Sequence, residues 1–381
     1  MGRPTQRHES SGSGAIQTAL LQWYARHKRP LPWRRDRDAY RVWVSEIMLQ
    51  QTRVAAVLEH YRAFLEAFPT VEALACAPEE QVLAMWSGLG YYRRARMLHK
   101  AAGVVVKELG ALIPRTEAEL RKLPGIGRYT AAAIASIAYG EPVAVVDGNV
   151  ERVLSRLDGS PRAGASAWQR AQELLDGRDA GGGDAGNRAA GDWDAGDWNQ
   201  AMMELGATVC TPQNPQCLVC PLRNWCRAPG AATGRPKEVR KRVRMTRALI
   251  ERKHCVFLVQ RAADAAKMAG MWELPEYAEQ QDGPDATELC VVRHSITDTD
   301  YEVRVVRLEP RALSAKAKKA GRWVELDEIF GLPLTGLTRK ILRRQQGLRA
   351  YRGKPYGEAA IACGTEEEVA GVGLPSDLAV W

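Results

Sequence analysis

Apolar side chains recur at three- and four-residue spacing through most of the first half of the chain, and at strand-like spacing through much of the second. Ile16 to His27 has the helical rhythm and ends at Arg29-Pro30-Leu31-Pro32-Trp33-Arg34, where two prolines stop it. Val42 to Gln50 is again helical, with Val44, Ile47 and Met48 as an apolar stripe and Glu46 in its middle. Gln50-Gln51-Thr52 then interrupts the pattern, and Thr52 is placed to cap a helix over Arg53 to Phe68. Val150 to Leu157 and Trp198 to Gly206 are predicted helical as well. Between these two, Asp176 to Asp197 is mostly Gly, Asp and Ala with a tandem copy, Ala190-Gly191-Asp192-Trp193-Asp194 and Ala195-Gly196-Asp197-Trp198-Asn199; this composition predicts a flexible insertion without chemistry. From Thr246 onward the pattern predicts strands at Ala248-Leu249-Ile250, Val256 to Val259, Val291-Val292, Val303 to Val306 and Trp323-Val324.

The helical half turns on Leu123 to Asp147. Leu123-Pro124-Gly125-Ile126-Gly127 places one proline and two glycines ahead of a helical pattern, which predicts a tight hairpin opening a helix. Glycine at Gly125 and Gly127 leaves backbone N–H groups open to a phosphate, and the following helix adds the positive end of its dipole. Asp147 follows Val143 to Val146 and precedes Gly148, an acid in apolar surroundings. A backbone grip on phosphate next to a half-buried carboxylate suits an enzyme acting on the sugar of a nucleic acid. The plainer reading is a helix cap with an N-capping Asp, and a lone Gly-x-Gly favours it. Glu46 poses the same choice, since a carboxylate within a helix is often merely solvated.

Composition sets the frame for these motifs. With 381 residues, 45% hydrophobic and 26% charged, the chain can bury substantial cores and should form two domains or more. A formal charge of +9 and a pI near 9.2 favour a polyanionic partner without identifying one. Trp86 to Arg96 interleaves Tyr91 and Tyr92 with Arg93, Arg94 and Arg96, a mixture that can stack on bases while grasping phosphates or can form a basic helix–helix turn. Arg235 to Arg247 is another basic run, fitting either a linker along a phosphate backbone or a solvated tether. Met1 to Gly14 lacks the apolar core of a signal peptide, and no run approaches the length of a membrane span. A cytoplasmic, reducing compartment is therefore expected, where clustered cysteines more often hold metal than form disulfides. Four of the eight cysteines, Cys210, Cys217, Cys220 and Cys226, fall close together in the pattern C-x6-C-x2-C-x5-C, which indicates one metal centre; spacing alone suits zinc or iron–sulfur equally.

Three stretches, LPGIGRYTAAAI, VVDGNVERVLSR and SEIMLQQTRV, together resemble the helix-hairpin-helix DNA glycosylases and, among them, the adenine glycosylases of the MutY family. The resemblance runs from about Leu20 to Cys226 and resumes more weakly to about Leu348. It implies a mainly α helix-hairpin-helix region with an iron–sulfur loop over residues 15–230, a basic linker over 231–247 and an α+β Nudix-like domain over 248–349; the 176–197 insertion departs from the family, which has a short link there. Residues 1–14 and the tail 350–381 are expected to be disordered. The cysteine pattern matches the family's 4Fe-4S loop in every interval, so a 4Fe-4S cluster is implied, with a structural or DNA-sensing role.

The resemblance also implies roles for single residues. Glu46 becomes the general acid/base and Asp147 the carboxylate beneath the sugar, with Tyr129 and Asn149 helping to position it. Trp33 and Arg34 border the pocket for the target base, Gln200 points at the adenine, and Gln51 and Tyr91 enter the duplex to fill the gap an extruded nucleotide leaves, with Thr52 beside them. Bifunctional relatives carry a lysine where this chain has Tyr129; a phenol forms no Schiff base, so a monofunctional enzyme leaving an abasic site is implied. The implied substrate is double-stranded DNA carrying adenine opposite 8-oxoguanine or guanine, and the expected enzyme is a monomer working on the bacterial nucleoid without membrane association. In the Nudix-like half no glutamate run follows Pro275, which argues against pyrophosphate hydrolysis. The family's Phe-Ser-His loop is replaced by Ile296-Thr297-Asp298, keeping one hydroxyl at Thr297 but neither the aromatic ring nor the histidine. Two other readings stand beside this one: an endonuclease III-like lyase, against which Tyr129 and the added C-terminal half argue, and a non-catalytic iron–sulfur DNA-binding protein, which the pair Glu46 and Asp147 disfavours.

Overall fold

The computed structural model describes residues 12–177, 194–230, 240–265, 267–277, 286–296 and 298–345. Residues 1–11, the tail, most of the insertion, the first part of the basic linker and Thr297 lie outside those residues, whereas Gly12 to Gly14, expected to be disordered with the N-terminus, open the first helix.

Eleven helices come first among the described residues: α1 (Gly12–His27), α2 (Ala39–Leu49), α3 (Val54–Ala67), α4 (Val71–Cys76), α5 (Glu79–Trp86), α6 (Arg93–Leu109), α7 (Glu117–Leu120), α8 (Arg128–Tyr139), α9 (Gly148–Asp158), α10 (Ala165–Leu175) and α11 (Ala195–Thr208). Capping residues set several boundaries. Asp38, Thr70, Thr116, Asp147 and Asp194 each accept a backbone N–H from the first turn that follows. The Asp194 cap starts α11 at Ala195, so residues 195–197, grouped with the insertion on composition, form the first helical turn. Thr52, in contrast, does not cap α3. That helix starts after Arg53 without a side-chain cap, and the Thr52 hydroxyl instead donates to the Gln50 carbonyl at 3.2 Å.

The helices enclose two apolar cores. One gathers Trp43, Met48, Phe64, Phe68, Trp86, Leu98 and Ile134 around α2, α3, α5, α6 and α8. The other gathers Leu20, Leu154, Trp198, Met202 and Leu205 around α1, α9 and α11. Burying such side chains contributes roughly 1.5–3 kcal/mol each, which is what holds short helices of modest intrinsic propensity in place. Gly206 lets α11 approach α9: a Cβ there would lie 2.6 Å from the Asn149 Cβ.

The C-terminal region is built on β1 (Lys241–Arg252), β2 (Cys255–Gln260), β3 (Trp272–Glu273), β4 (Thr287–Ile296), β5 (Thr299–Leu308) and β6 (Gly321–Glu325), with helices α12 (Ala315–Ala320) and α13 (Gly336–Gln345). The sheet order is β3-β2-β1-β5-β4, with β6 also paired to β2. β1 and β5 run parallel from Lys241↔Thr299 to Ile250↔Leu308, and the other pairs are antiparallel. The parallel partner draws Lys241 to Arg247 into β1, so this part of the basic stretch is strand rather than tether. Leu249, Leu258, Val303, Val305 and Ile341 fill a core on one side of the sheet, and Ala248, Ile250, Phe257 and Val306 fill one on the other, as strand alternation requires.

The two regions share contacts. Met271 is fully buried in the first helical core. Ser87 Oγ and the Tyr92 hydroxyl both donate to the Leu334 carbonyl, at 2.8 and 3.2 Å. Arg96 donates to the Ala269 carbonyl at 2.7 Å, and Trp272 Nε1 to Glu80 at 3.3 Å. Among the described residues no helix is long and apolar enough to cross a membrane.

Candidate active site

Where the two helical cores meet, a cavity of about 800 Å³ opens, lined by Trp33, Arg34, Glu46, Gln51, Thr52, Tyr129, Asp147, Asn149 and Gln200 among others. Nine residues singled out from sequence therefore share one wall, although they come from five separate stretches of chain.

Glu46 sits in α2, whose residues from Val42 to Met48 are all buried, and is itself only 5% exposed. Its carboxylate accepts a hydrogen bond from the Tyr129 hydroxyl at 2.8 Å. Burial raises its pKa from 4.5 to about 7; the Tyr129 bond opposes this, the charge of Asp147 adds to it and that of Arg34 opposes it. A carboxyl poised near neutrality can both give and take a proton at working pH. Tyr129 is pushed well above the usual phenol range, first by burial and then by the charges of Glu46 and Asp147, which keeps it a donor.

Asp147 is the N-cap of α9 and lines the cavity as well, so capping the helix does not take it out of the cavity. Its Oδ1 accepts the backbone N–H groups of Asn149 and Val150 at 2.9 and 2.8 Å, and its Oδ2 accepts the Asn149 side-chain amide at 2.8 Å. Asn149 Oδ1 in turn accepts from Arg152, which also donates to the Cys210 carbonyl at 2.8 Å. The carboxylate is thereby aimed by the first turn of a helix and by a side chain that is itself anchored.

Arg34 is held by Glu204, which sequence reasoning missed. Glu204 has a fully buried side chain and lines the cavity; it accepts from Arg29 Nε and Nη2 at 2.7 Å each and from Arg34 Nη2 at 2.9 Å. Burial pushes its pKa up, but the bonds from Arg29 and Arg34 outweigh that and hold it at about 2. The signal was present: Glu204 is a lone acid in Ala201-Met202-Met203-Glu204-Leu205-Gly206, the same signature as Glu46. Gln200 lies one turn earlier, in the second turn of α11. Trp33 is buried edge-on against Tyr61, with ring centroids 5.3 Å apart.

Tyr91, Gly125 and Gly127 lie outside this wall. Tyr91 is 45% exposed, and both it and Gln51 have positive φ, +50° and +55°. Gly125 has φ +76° and a Cβ there would lie 2.4 Å from the Met97 Cβ, so its bare face is taken up by packing against α6. Gly127 is the N-cap of α8, and a Cβ there would meet open space, leaving the backbone at that helix end approachable.

Cys210, Cys217, Cys220 and Cys226 line a second, small cavity. Burial raises the thiols of Cys220, to about 11, and of Cys226, and each of the two is pushed further by the charges of neighbouring cysteines. Arg156, buried, donates to Cys210 Sγ at 3.2 Å and so offers a cation to a thiolate set. Among the described residues no three metal-ligating side chains converge on one ion. Four thiols lining a shared cavity are the donor set of a cluster that takes one thiolate per iron.

Comparison with known proteins bears on both sites. Residues 44–175 match the HhH-GPD superfamily base excision DNA repair protein family, and residues 210–226 match the iron-sulfur binding domain of endonuclease III. The four cysteines are thus the ligands that would hold a 4Fe-4S cluster. An adenine DNA glycosylase of Homo sapiens is 48% identical over 229 residues, covering 56% of this chain and 39% of that protein. One of Mycolicibacterium smegmatis is 44% identical over 210 residues, covering 55% of this chain and 67% of that protein. Among solved structures, a thermostable thymine-DNA glycosylase aligns with a TM-score of 0.48 at 28% identity, over 56% of this chain and 94% of that one. The match spans only 39% to 42% of the length of the human and rat proteins.

Proposed function

The chain belongs to the adenine DNA glycosylase family, and from that premise we propose that it hydrolyses the N-glycosidic bond of adenine mispaired with 8-oxoguanine or guanine in duplex DNA. The observation that carries this reading is a buried carboxyl, Glu46, with its pKa raised to about 7 in a cavity shared with the Asp147 carboxylate. Adenine leaves readily only as a neutral base, and the sugar it leaves becomes electron-poor. Glu46 gives its proton to N7, the bond from the sugar to N9 breaks with its electron pair going to the base, and Asp147 stabilises the cationic sugar. Glu46, now ionised, takes a proton from water as the water oxygen bonds to the sugar, which restores the acid and leaves an abasic site. The base must be out of the stack to reach Glu46, at a cost of a few kcal/mol that Gln51 and Tyr91 offset by filling the gap. Tyr129 donates to Glu46 where an amine would be needed for strand cleavage, supporting a monofunctional enzyme.

We assign the glycosylase region to residues 15–230, the linker to 231–240 and a Nudix-like, non-catalytic domain to 241–349, since Lys241 to Arg247, expected in the linker, are part of β1. The mixed sheet with α13 packed on it supports that assignment. Ser295 and Ile296 end β4 next to the position expected to check the opposite base, so discrimination there is proposed to rest on Thr297. The 4Fe-4S cluster would brace the loop after α11, since no thiolate is left over for substrate.

The test uses the cluster-loaded protein on two labelled duplexes, one with adenine opposite 8-oxoguanine and one with an oxidised pyrimidine. Scission only after alkali, at the adenine, is expected. Spontaneous scission at the pyrimidine would replace this reading with a lyase, and no release from either duplex would leave a binding protein.

A further inference from the structure

Arg94, in the first turn of α6, joins two segments that are far apart in sequence. Its Nη1 donates to the carbonyls of Ile47, Met48 and Gln50 at 2.7, 3.0 and 2.5 Å. Its Nη2 donates to Thr52 Oγ1 at 3.1 Å and to the carbonyls of Leu89 and Gly90 at 3.3 and 3.2 Å. The guanidinium carbon also lies 5.5 Å from the ring centroids of both Trp86 and Tyr91. Among the described residues no carboxylate pairs with it, so this partly buried cation is solvated by main-chain carbonyls and aromatic faces. One set of carbonyls belongs to the last turn of α2 and the turn carrying Gln51; the other belongs to the loop carrying Tyr91. Gln51 and Tyr91 both hold the left-handed backbone that side chains other than glycine seldom adopt, a strain that persists only where neighbours impose it. From the far side, Ser87 and Tyr92 tie the same loop to the Leu334 carbonyl.

We propose that Arg94 is a positioning residue that fixes the spacing and aim of Gln51 and Tyr91, so that the two enter the duplex as one wedge and hold the target nucleotide out of the stack. The proposal rests on the glycosylase reading, through the insertion of these two side chains. The planar fork is essential to it, because six acceptors lie on opposite sides of one guanidinium. A lysine keeps the charge but presents three donors from a single point and can satisfy one side only.

The test compares wild type with Arg94→Lys and Arg94→Met, as cluster-loaded full chains, in the native background and in a Gln51→Ala/Tyr91→Ala background. Two readouts are taken: single-turnover adenine release from a duplex with adenine opposite 8-oxoguanine, and the fluorescence rise of 2-aminopurine at the target position, which reports unstacking. In the native background Arg94→Lys is expected to lower release on the order of 30-fold and to lose most of the fluorescence rise. In the wedge-less background it should add less than about threefold, because a residue acting through the wedge has nothing left to act on. Equal fold-losses in both backgrounds, or slowed release with the fluorescence rise intact, would overturn the proposal. So would an Arg94→Lys chain that fails to fold or to bind iron, since Arg94 would then be a folding determinant; Arg94→Met alone failing to fold leaves the lysine variant to decide. If wild type unstacks the probe without releasing adenine, the glycosylase reading falls while the fluorescence comparison still judges Arg94.

Discussion

Replacing Glu46 by glutamine should make the protein inactive and, at neutral pH, more stable. The carboxyl is 5% exposed with a pKa raised from 4.5 to about 7, chiefly by burial. Below pH 4.5 it is protonated in the folded and the unfolded chain alike. As pH rises the unfolded chain gives up this proton first while the folded chain keeps it, so stability falls by about 1.4 kcal/mol per pH unit until the folded group also ionises near 7. The full loss between 4.5 and about 7 is roughly 3 kcal/mol. Glutamine has no proton to lose, and its side-chain oxygen can still accept the Tyr129 hydroxyl. The assay is urea unfolding of both cluster-loaded proteins at pH 5 and pH 8, followed by tryptophan fluorescence. With a urea dependence of roughly 3 kcal/mol per molar, the variant's advantage in midpoint should be greater at pH 8 than at pH 5 by somewhat under 1 M. Adenine release should fall by at least about 100-fold, as expected on losing a general acid. A midpoint difference that does not change between the two pH values would refute the reasoning, because Glu46 would then be ionised when the reaction needs its proton.

Tyr129→Phe removes a bond that favours ionised Glu46, so the Glu46 pKa should rise; the fall in single-turnover rate with increasing pH should move to higher pH, and a shift the other way would contradict the proposed geometry. Glu204→Gln strips Arg29 and Arg34 of a buried counter-ion and should cost roughly 3 kcal/mol in unfolding, with weaker binding of substrate duplex. The ordinary order of acid sensitivity applies there: the Glu204 pKa is held at about 2, so the stability it contributes is present above pH 4.5 and fades as pH falls toward 2, and the variant should close the gap with wild type in acid. Gly125→Ala places a methyl 2.4 Å from the Met97 Cβ at φ +76° and should lower stability by at least about 1–2 kcal/mol while weakening DNA binding; an unchanged melting temperature would count against the hairpin's packing.

The site was readable where chemistry breaks a pattern. Glu46 and Asp147 stand out as acids in apolar runs, and the cysteines by their spacing, because an apolar run tolerates an acid only when structure or function compensates it. Glu204 carries the same mark and was passed over, since its meaning depends on Arg29 and Arg34, which sit in a proline-rich turn 170 residues away. Arg94 was hidden differently. In sequence it is one of several arginines in a basic stretch, and only the folded chain distinguishes Arg94, turned inward onto five carbonyls, from exposed Arg93 and from Arg96, which pairs with Glu79 and one carbonyl. Helix cores were legible from spacing, whereas ends were not always, because a cap such as Asp194 outranks composition and Thr52 spends its hydroxyl elsewhere. The strand at Lys241 to Arg247 was unreadable in isolation, since its order comes from β5, more than fifty residues downstream.

Asp147 both starts a helix and faces the cavity, and this doubling has a consequence for inheritance. Asparagine is nearly as good a cap and keeps the two backbone bonds to its oxygen, losing only the bond from the Asn149 amide, so a chain carrying Asp147→Asn is expected to stay folded and to accumulate to near-normal abundance. On the proposed reaction such a chain would still find mispairs and sit on them without turning over, shielding each from any intact copy of the enzyme. An allele of that kind would harm by occupancy rather than by absence, and a second, intact gene would not rescue it fully.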